Sequence, residues 1–272
     1  MKETTWCWRR GIAPHEAEGW IARLQAVGCA TWTLTERPGR VRHLLAVYDV
    51  KRGPMAVLQK RLGGQVVAIR QNQWLPPGPR PPTRIGKALA IHHDPPQRRL
   101  RGDELFIPHG IAFGSGEHAT TFMLLRALAR EPMPERVLDL GTGSGVLALA
   151  ARKLGAQKIV ATDFDPDAVR TARENEARNF SKPAIRWQRA EVKRLPAKSR
   201  YDLVLANLFS GILIEAAGRI AACVAPGGKL WLSGILRAQQ DEVLAAYRAR
   251  GLRLIGASRR GKWIMAQFDR FG

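Results

Sequence analysis

The nine residues Val137-Leu138-Asp139-Leu140-Gly141-Thr142-Gly143-Ser144-Gly145 restrict what this chain can fold into more than any other stretch. Val137, Leu138 and Leu140 form a short apolar run of the kind that fills a parallel strand covered on both faces. The glycines that follow admit a tight turn and a backbone approach that any Cβ would block. Val146 to Leu154 then reads as a helix, with its free N–H groups pointing back at the turn. Strand, glycine turn and helix in that order hold a nucleotide-like ligand at the carboxyl edge of a sheet. The spacing is not that of a dinucleotide fingerprint, because Gly145 comes one residue early and Val146 stands where the third glycine belongs. Nor is it a phosphate-binding P-loop, since no lysine follows Gly145.

What the turn resembles is the G-x-G-x-G loop of Rossmann-like, S-adenosylmethionine-dependent methyltransferases, with Asp139 as the acidic residue before it. Such a ligand carries no phosphate, so the loop has to fit a methionine moiety and a ribose. Asp163 follows at the end of the next strand, Lys158 to Asp163, about 20 residues on, where an acidic side chain accepts both ribose hydroxyls. Phe164 is placed either against the adenine or in the core, and Glu191, after the third strand, is placed to meet the adenine amino group.

The elements downstream alternate as a doubly wound sheet requires. Helices are expected over Asp167–Phe180, Gly211–Ala222 and Arg237–Arg250, and strands over Ile185–Ala190, Tyr201–Asn207 and Leu230–Ser233. Leu252–Ala257 and Trp263–Phe268 complete the sheet as an edge hairpin. Upstream, residues 1–75 have a pattern of their own. Strands at Thr4–Arg9, Ala30–Glu36, Val41–Tyr48 and Val66–Arg70 alternate with helices at Pro14–Val27 and Pro54–Leu62. Arg37-Pro38-Gly39-Arg40 makes the hairpin turn and Gly63-Gly64 stops the second helix. This βαββαβ order is that of a ferredoxin-like sandwich. It contains no catalytic constellation and reads as a recognition module. Residues 76–106 open with Pro76-Pro77-Gly78-Pro79-Arg80-Pro81-Pro82, a stiff, extended run that marks a domain boundary. They are read as a linker in which Ile85 to Ile91 adds one strand. The fold expected is therefore α/β, with a Rossmann-like methyltransferase sheet at 107–272 and a smaller α+β ferredoxin-like domain at 1–75.

Ala112-Phe113-Gly114-Ser115-Gly116-Glu117-His118-Ala119-Thr120-Thr121 is similar to the A-F-G-T-G-x-H-x-T-T signature of the PrmA family of bacterial ribosomal-protein methyltransferases. The resemblance extends through Val137–Leu147, Lys158–Pro166, Tyr201–Leu208 and Ala225–Leu236. It departs at Ala119, where larger residues or proline are common. The resemblance implies S-adenosylmethionine as cofactor and an amine of a large-subunit ribosomal protein at the stalk base as acceptor. It implies Phe113, Thr121, Gly141, Gly143, Asp163 and Asn207 as cofactor contacts, with the Thr121 hydroxyl on the methionine carboxylate.

Methyl transfer from a sulfonium is an in-line substitution, so aiming the amine lone pair supplies much of the acceleration. A lysine amine, with a reference pKa of about 10.4, must first lose a proton, and a dry pocket lowers that pKa. At the end of the fourth strand, Asn207 offers a side-chain oxygen to orient the amine while the Leu208 carbonyl accepts a second hydrogen bond. These two are the catalytic candidates. His118 either takes the proton or orders its loop, and ordering is the reading adopted. Asn207 is followed by Leu208-Phe209 rather than the P-P-[YF] common for small-molecule and nucleic-acid amines, which leans toward a protein amine.

Charge bears on partners. The formal net charge is +21, spread along the chain and interspersed with acids. That is either a solvated surface or one that attracts RNA, ribosomal particles or an acidic protein. Cys7, Cys29 and Cys223 lie far apart, which suits a reducing compartment and excludes a zinc ribbon. His92-His93-Asp94 is not read as a metal site, because adjacent side chains diverge. No apolar run of ~20 residues offers a membrane span. A cytoplasmic monomer is expected, near ribosomal RNA through its substrate. The competing functions are methylation of RNA or another protein, and a noncatalytic ribosome- or RNA-binding protein with a vestigial fold.

Overall fold

In the computed structural model the described residues are 4–29, 32–35, 43–49, 51–70, 81–109, 116–194 and 200–271. They fall into two units, Met1–Gly78 and Pro79–Gly272. The turn expected at Arg37–Arg40, the proline run up to Arg80, and Gly110 to Ser115, which include the start of the signature, lie outside the described residues.

The alternation in the first unit folds as its order demands. Strands β1 (Thr4–Ile12), β2 (Thr33–Thr35), β3 (His43–Asp49) and β4 (Gln65–Arg70) pair antiparallel in the order β2-β3-β1-β4. Helices α1 (Ala17–Ala26) and α2 (Arg52–Leu62) join them, giving the ferredoxin-like arrangement. Trp8, Ile12, Trp20, Leu24, Leu45, Val47, Met55 and Leu58 form the core. The last carbonyls of a helix have no partner within it. Here Arg10 Nη1 donates to Leu62 O and Trp8 Nε1 to Gly63 O, each at 2.6 Å, so strand β1 satisfies the end of α2. Gly64 has φ +88°, and a Cβ there would lie 2.9 Å from the Arg9 carbonyl, so only glycine fits the turn into β4.

The second unit begins well before the expected residue 107. From Thr83 on, the stretch read as linker carries three strands, β5 (Thr83–Ile85), β6 (Leu89–His92) and β7 (Glu104–Phe106), in a small sheet of that order. Ile85 to Ile91 is a hairpin rather than one strand, because Gly86 turns the chain at φ +61°. Ile85, Leu89, Ile91, Leu105 and Ile107 are buried in the same core as the first helices of the large sheet. Buried Glu104 accepts both terminal nitrogens of Arg98, at 2.7 and 2.8 Å, and the Arg101 N–H at 2.8 Å. Those bonds hold its carboxyl far below the usual range.

The large sheet contains β8 (Arg136–Leu140), β9 (Lys158–Asp163), β10 (Ile185–Arg189), β11 (Tyr201–Asn207), β12 (Val224–Leu236), β13 (Leu252–Arg260) and β14 (Trp263–Arg270), ordered β10-β9-β8-β11-β12-β14-β13. Neighbours run parallel through β12, and β14 enters antiparallel. Helices α3 (Ala119–Leu128), α4 (Val146–Lys153), α5 (Pro166–Asn179), α6 (Ser210–Glu215), α7 (Ala217–Ala222) and α8 (Gln240–Arg248) connect them. The helix expected over Gly211–Ala222 is thus two, divided at buried Ala216, where ψ is +7°. Strand β12 also starts earlier than expected. Ala225–Gly228 form a bulge in its pairing with β11, since Tyr201 faces Val224 and Leu203 faces Lys229. Among the described residues no helix is long and apolar enough to cross a membrane. The order of the parallel strands reverses between β8 and β11, which brings Gly141 and Asn207 side by side at the carboxyl edge.

Candidate functional site

The glycine turn is built as its residue types require. Gly141, Gly143 and Gly145 have φ of +69°, +55° and +83°. A Cβ at Gly145 would lie 2.8 Å from the Trp187 ring and 2.9 Å from the Ala172 methyl, so this glycine lets α5 and β10 close behind the turn. Asn175 Nδ2 donates to Ser144 O at 2.9 Å, tying α5 to the loop. Trp187 is itself held by Glu176, whose Oε2 accepts its indole N–H at 2.6 Å. Glu176 Oε1 accepts from Arg152, Ala184 N and Ile185 N, so this buried carboxylate is fully engaged.

Asp139, at the end of β8, is fully buried. Its Oδ2 accepts the Thr142 hydroxyl at 2.6 Å, and among the described residues Oδ1 has no hydrogen-bond partner. Burial pushes its carboxyl up to about 7; the Thr142 bond and the nearby Ala148 N–H oppose that rise, and Asp163 adds slightly to it.

At the edge lies a cleft of about 550 Å³ with a mostly apolar lining. Gly141, Gly143, Asp163, Asn207 and Leu208 all line it. Asp163 Oδ2 accepts the Gly143 N–H at 2.9 Å and Oδ1 the Asp165 N–H at 3.1 Å. The carboxylate thus stands at the end of β9, fixed by the loop that it faces. Across the cleft, Asn207 Nδ2 donates to Thr121 Oγ1 at 3.0 Å, which fixes the amide and turns its carbonyl into the acceptor end. Phe164 and Phe209 stand at the mouth, 71% and 74% exposed, so Phe164 is not a core residue. Glu191 reaches the cleft too, in an ion pair with Arg194 at 2.9 Å.

Both threonines of the signature are buried: Thr120 is in the cleft lining with its hydroxyl on His118, and Thr121, expected to contact the cofactor, has its oxygen on Asn207. His118 caps α3, its Nδ1 meeting the Thr120 hydroxyl at 2.8 Å and the Thr120 N–H at 3.4 Å. Burial first, then the Lys262 charge, lowers its pKa, and its bonds to Thr120 hold the start of α3. Phe113 lies outside the described residues.

Gly234, Ile212 and Trp263 also line the cleft, and the sequence offered no periodic sign of them. The one local signal was the glycine within Ser233-Gly234-Ile235. Its φ is +84°, and a Cβ would sit 2.3 Å from the Leu208 carbonyl oxygen. Leu208 is therefore clasped on two sides, because a Cβ at Gly141 would meet its side chain at 2.3 Å.

Strand order, glycine turn, an acid at the end of the second strand and a polar amide at the end of the fourth together define the Rossmann-like methyltransferase class of fold. The family model for ribosomal protein L11 methyltransferase (PrmA) matches residues 66–270, and the chain belongs to that family. The ribosomal protein L11 methyltransferase of Geobacter sulfurreducens is 43% identical over 184 residues, 67% of this chain and 60% of that protein. That of Rhizobium etli is 41% identical over 197 residues, 70% of this chain and 67% of its own length. The chain therefore spans about three fifths to two thirds of these curated relatives. Among solved structures, the ribosomal protein L11 methylase of Lactobacillus delbrueckii subsp. bulgaricus superposes with a TM-score of 0.64 at 27% identity, covering 71% of this chain and all of that one.

Proposed function

We propose that the chain transfers methyl groups from S-adenosylmethionine to amines of ribosomal protein L11, lysine side chains and, by the same chemistry, the N-terminal amine. Family membership and the names of the relatives support the substrate. The observation that carries the chemistry is the Asn207 carbonyl, held at the cleft by the bond from its own amide to Thr121.

The cleft suits this cofactor on its own features. Gly141 and Gly143 leave backbone exposed where a side chain would fill the space, Asp163 offers carboxylate oxygens, and the lining has no cluster of cations for a phosphate. In this reading Asp163 holds the ribose hydroxyls, the glycine turn and Thr120 flank the methionine part, and Phe164 covers the adenine. Bound S-adenosylmethionine supplies an electrophilic methyl on a sulfonium. Asn207 Oδ1 and the Leu208 carbonyl accept N–H bonds from the incoming amine, which aims its lone pair. Ile212, Leu208 and Phe209 keep the entry apolar, which disfavours the ammonium form. The ferredoxin-like unit, which reads as a recognition module, presents the substrate, and the protein acts as a cytoplasmic monomer close to ribosomal RNA.

Incubation of the chain with labelled S-adenosylmethionine and large ribosomal subunits tests this reading. Label on protein L11, mapped to lysines by peptide mass spectrometry, is the expected result. Label on RNA would instead indicate an RNA methyltransferase, and no label a noncatalytic protein.

A further inference from the structure

Some arginines of the second unit are neutralised: Arg98 pairs with Glu104, Arg136 with Asp202, Arg152 with Glu176 and Arg253 with Asp269. One groove gathers four that are not. Between α3 and the β13–β14 hairpin lies a hollow of about 680 Å³ whose lining includes Arg126, Arg130, Arg259 and Arg260. All four are exposed, and among the described residues none of them forms an ion pair. The single carboxylate in the lining, Glu131, is already bonded to Lys229. The basic hollow at the opposite strand edge is half neutralised: Arg136 and Lys158 pair with Asp202 and Glu135, while Arg186 and Arg200 do not pair with a carboxylate among the described residues.

We propose that this groove binds the phosphodiester backbone of RNA. Two of its guanidinium groups are held in advance. Arg260 lies over the Phe122 ring at 4.3 Å, and Arg259 Nε donates to Gly261 O at 2.9 Å, so its terminal nitrogens remain available. Arg126 stands in the last turn of α3 and Arg130 in the turn that follows it, and both line the groove. Guanidinium forks match phosphate oxygens in pairs, and a row of them neutralises successive phosphates. An acidic protein fits less well. The aromatic ring in the groove is covered by Arg260, and Met123 and Met265 are buried, which leaves no open pocket for an apolar anchor. The choice of RNA over DNA rests on the ribosomal substrate proposed above; the phosphodiester assignment does not.

The test is fluorescence anisotropy of a labelled hairpin RNA with the full chain, titrated across salt. Neutralising four phosphates contributes a slope of about 3 in log affinity against log salt. The variant Arg126→Gln/Arg130→Gln/Arg259→Gln/Arg260→Gln should lose about that slope and weaken binding about 100-fold at low salt. A matched control, Arg61→Gln/Arg219→Gln/Arg237→Gln/Arg248→Gln, removes the same charge from exposed positions elsewhere and should change the slope by less than about 1. The double variant Arg126→Gln/Arg130→Gln, confined to exposed positions at the end of α3 and in the turn after it, should lose about half the slope even if the fourfold variant folds poorly. Equal losses in the groove and control variants would overturn the proposal, as would displacement of the RNA by polyglutamate at matched charge. Binding is read without methyl transfer, so RNA affinity can survive a failure to label protein L11, and the reverse.

Discussion

Asn207 and Thr121, 86 positions apart in the chain, are joined by a 3.0 Å hydrogen bond from the asparagine amide to the threonine hydroxyl. The bond ties the end of a central strand to the first turn of α3. In the structure the amide nitrogen faces this buried hydroxyl, which leaves the oxygen as the other end of the amide at the cleft that Asn207 lines.

Thr121→Val removes that acceptor while keeping the shape. We expect turnover to fall about 10-fold or more, with cofactor affinity changed only a few-fold; Asn207→Ala should cost turnover about 100-fold or more. Steady-state methyl transfer to protein L11 together with calorimetric titration of the cofactor measures both. Unchanged turnover in either variant would remove the orienting role of Asn207.

Asp163→Ala loses both backbone bonds of the carboxylate, to Gly143 and Asp165, as well as the proposed ribose contact. Cofactor affinity should fall about 10-fold to 100-fold, as loss of a charged hydrogen-bonding group commonly costs ≈ 1.5–3 kcal/mol. Calorimetry showing wild-type affinity would refute the ribose assignment.

Gly234→Ala places a methyl 2.3 Å from the Leu208 carbonyl at a φ of +84°. The left-handed backbone alone costs an L-residue roughly 1–2 kcal/mol, and the clash adds a comparable overpacking term. Thermal unfolding should drop by several degrees, with turnover reduced because Leu208 is displaced. A variant as stable and as active as wild type would show that the clasp on Leu208 is unimportant.

Asp139 gives stability a pH dependence of calculable sign. Its carboxyl is raised from 3.8 to about 7 by burial, so between those values the folded chain binds a proton that the unfolded chain has released. Stability from this group is present below about pH 4 and declines as pH rises to about 7, by at most about 4 kcal/mol at 1.36 kcal/mol per unit. Asp139→Asn should flatten that decline in denaturant titrations run at several pH values. An identical slope in the variant would mean that Asp139 is ionised throughout.

The parts legible in the sequence were those with local punctuation. The three glycines at 141, 143 and 145 take the positive φ values that their spacing implied, and the βαββαβ order of the first unit follows from its apolar periodicity and its Gly63-Gly64 stop. The sheet β5-β6-β7 escaped because strands of three or four residues between prolines and turns leave no period to detect. Thr120 and Thr121 could not be told apart by motif; adjacent residues on a helix point about 100° apart, and only the packing of α3 decides which one meets the cleft. Trp263 and Gly234 reach the cleft through long-range strand pairing, which composition does not encode.

The Asn179 side chain mimics a neighbouring strand. Its oxygen accepts the Phe106 N–H at 2.7 Å and its nitrogen donates to the Phe106 carbonyl at 2.8 Å, stitching the small sheet to α5. Anyone trimming this chain to a minimal fragment that keeps the large sheet should therefore cut near residue 79 and not at the signature motif. A fragment starting at residue 107 would strip the oily backing from two helices and strand an amide in the seam.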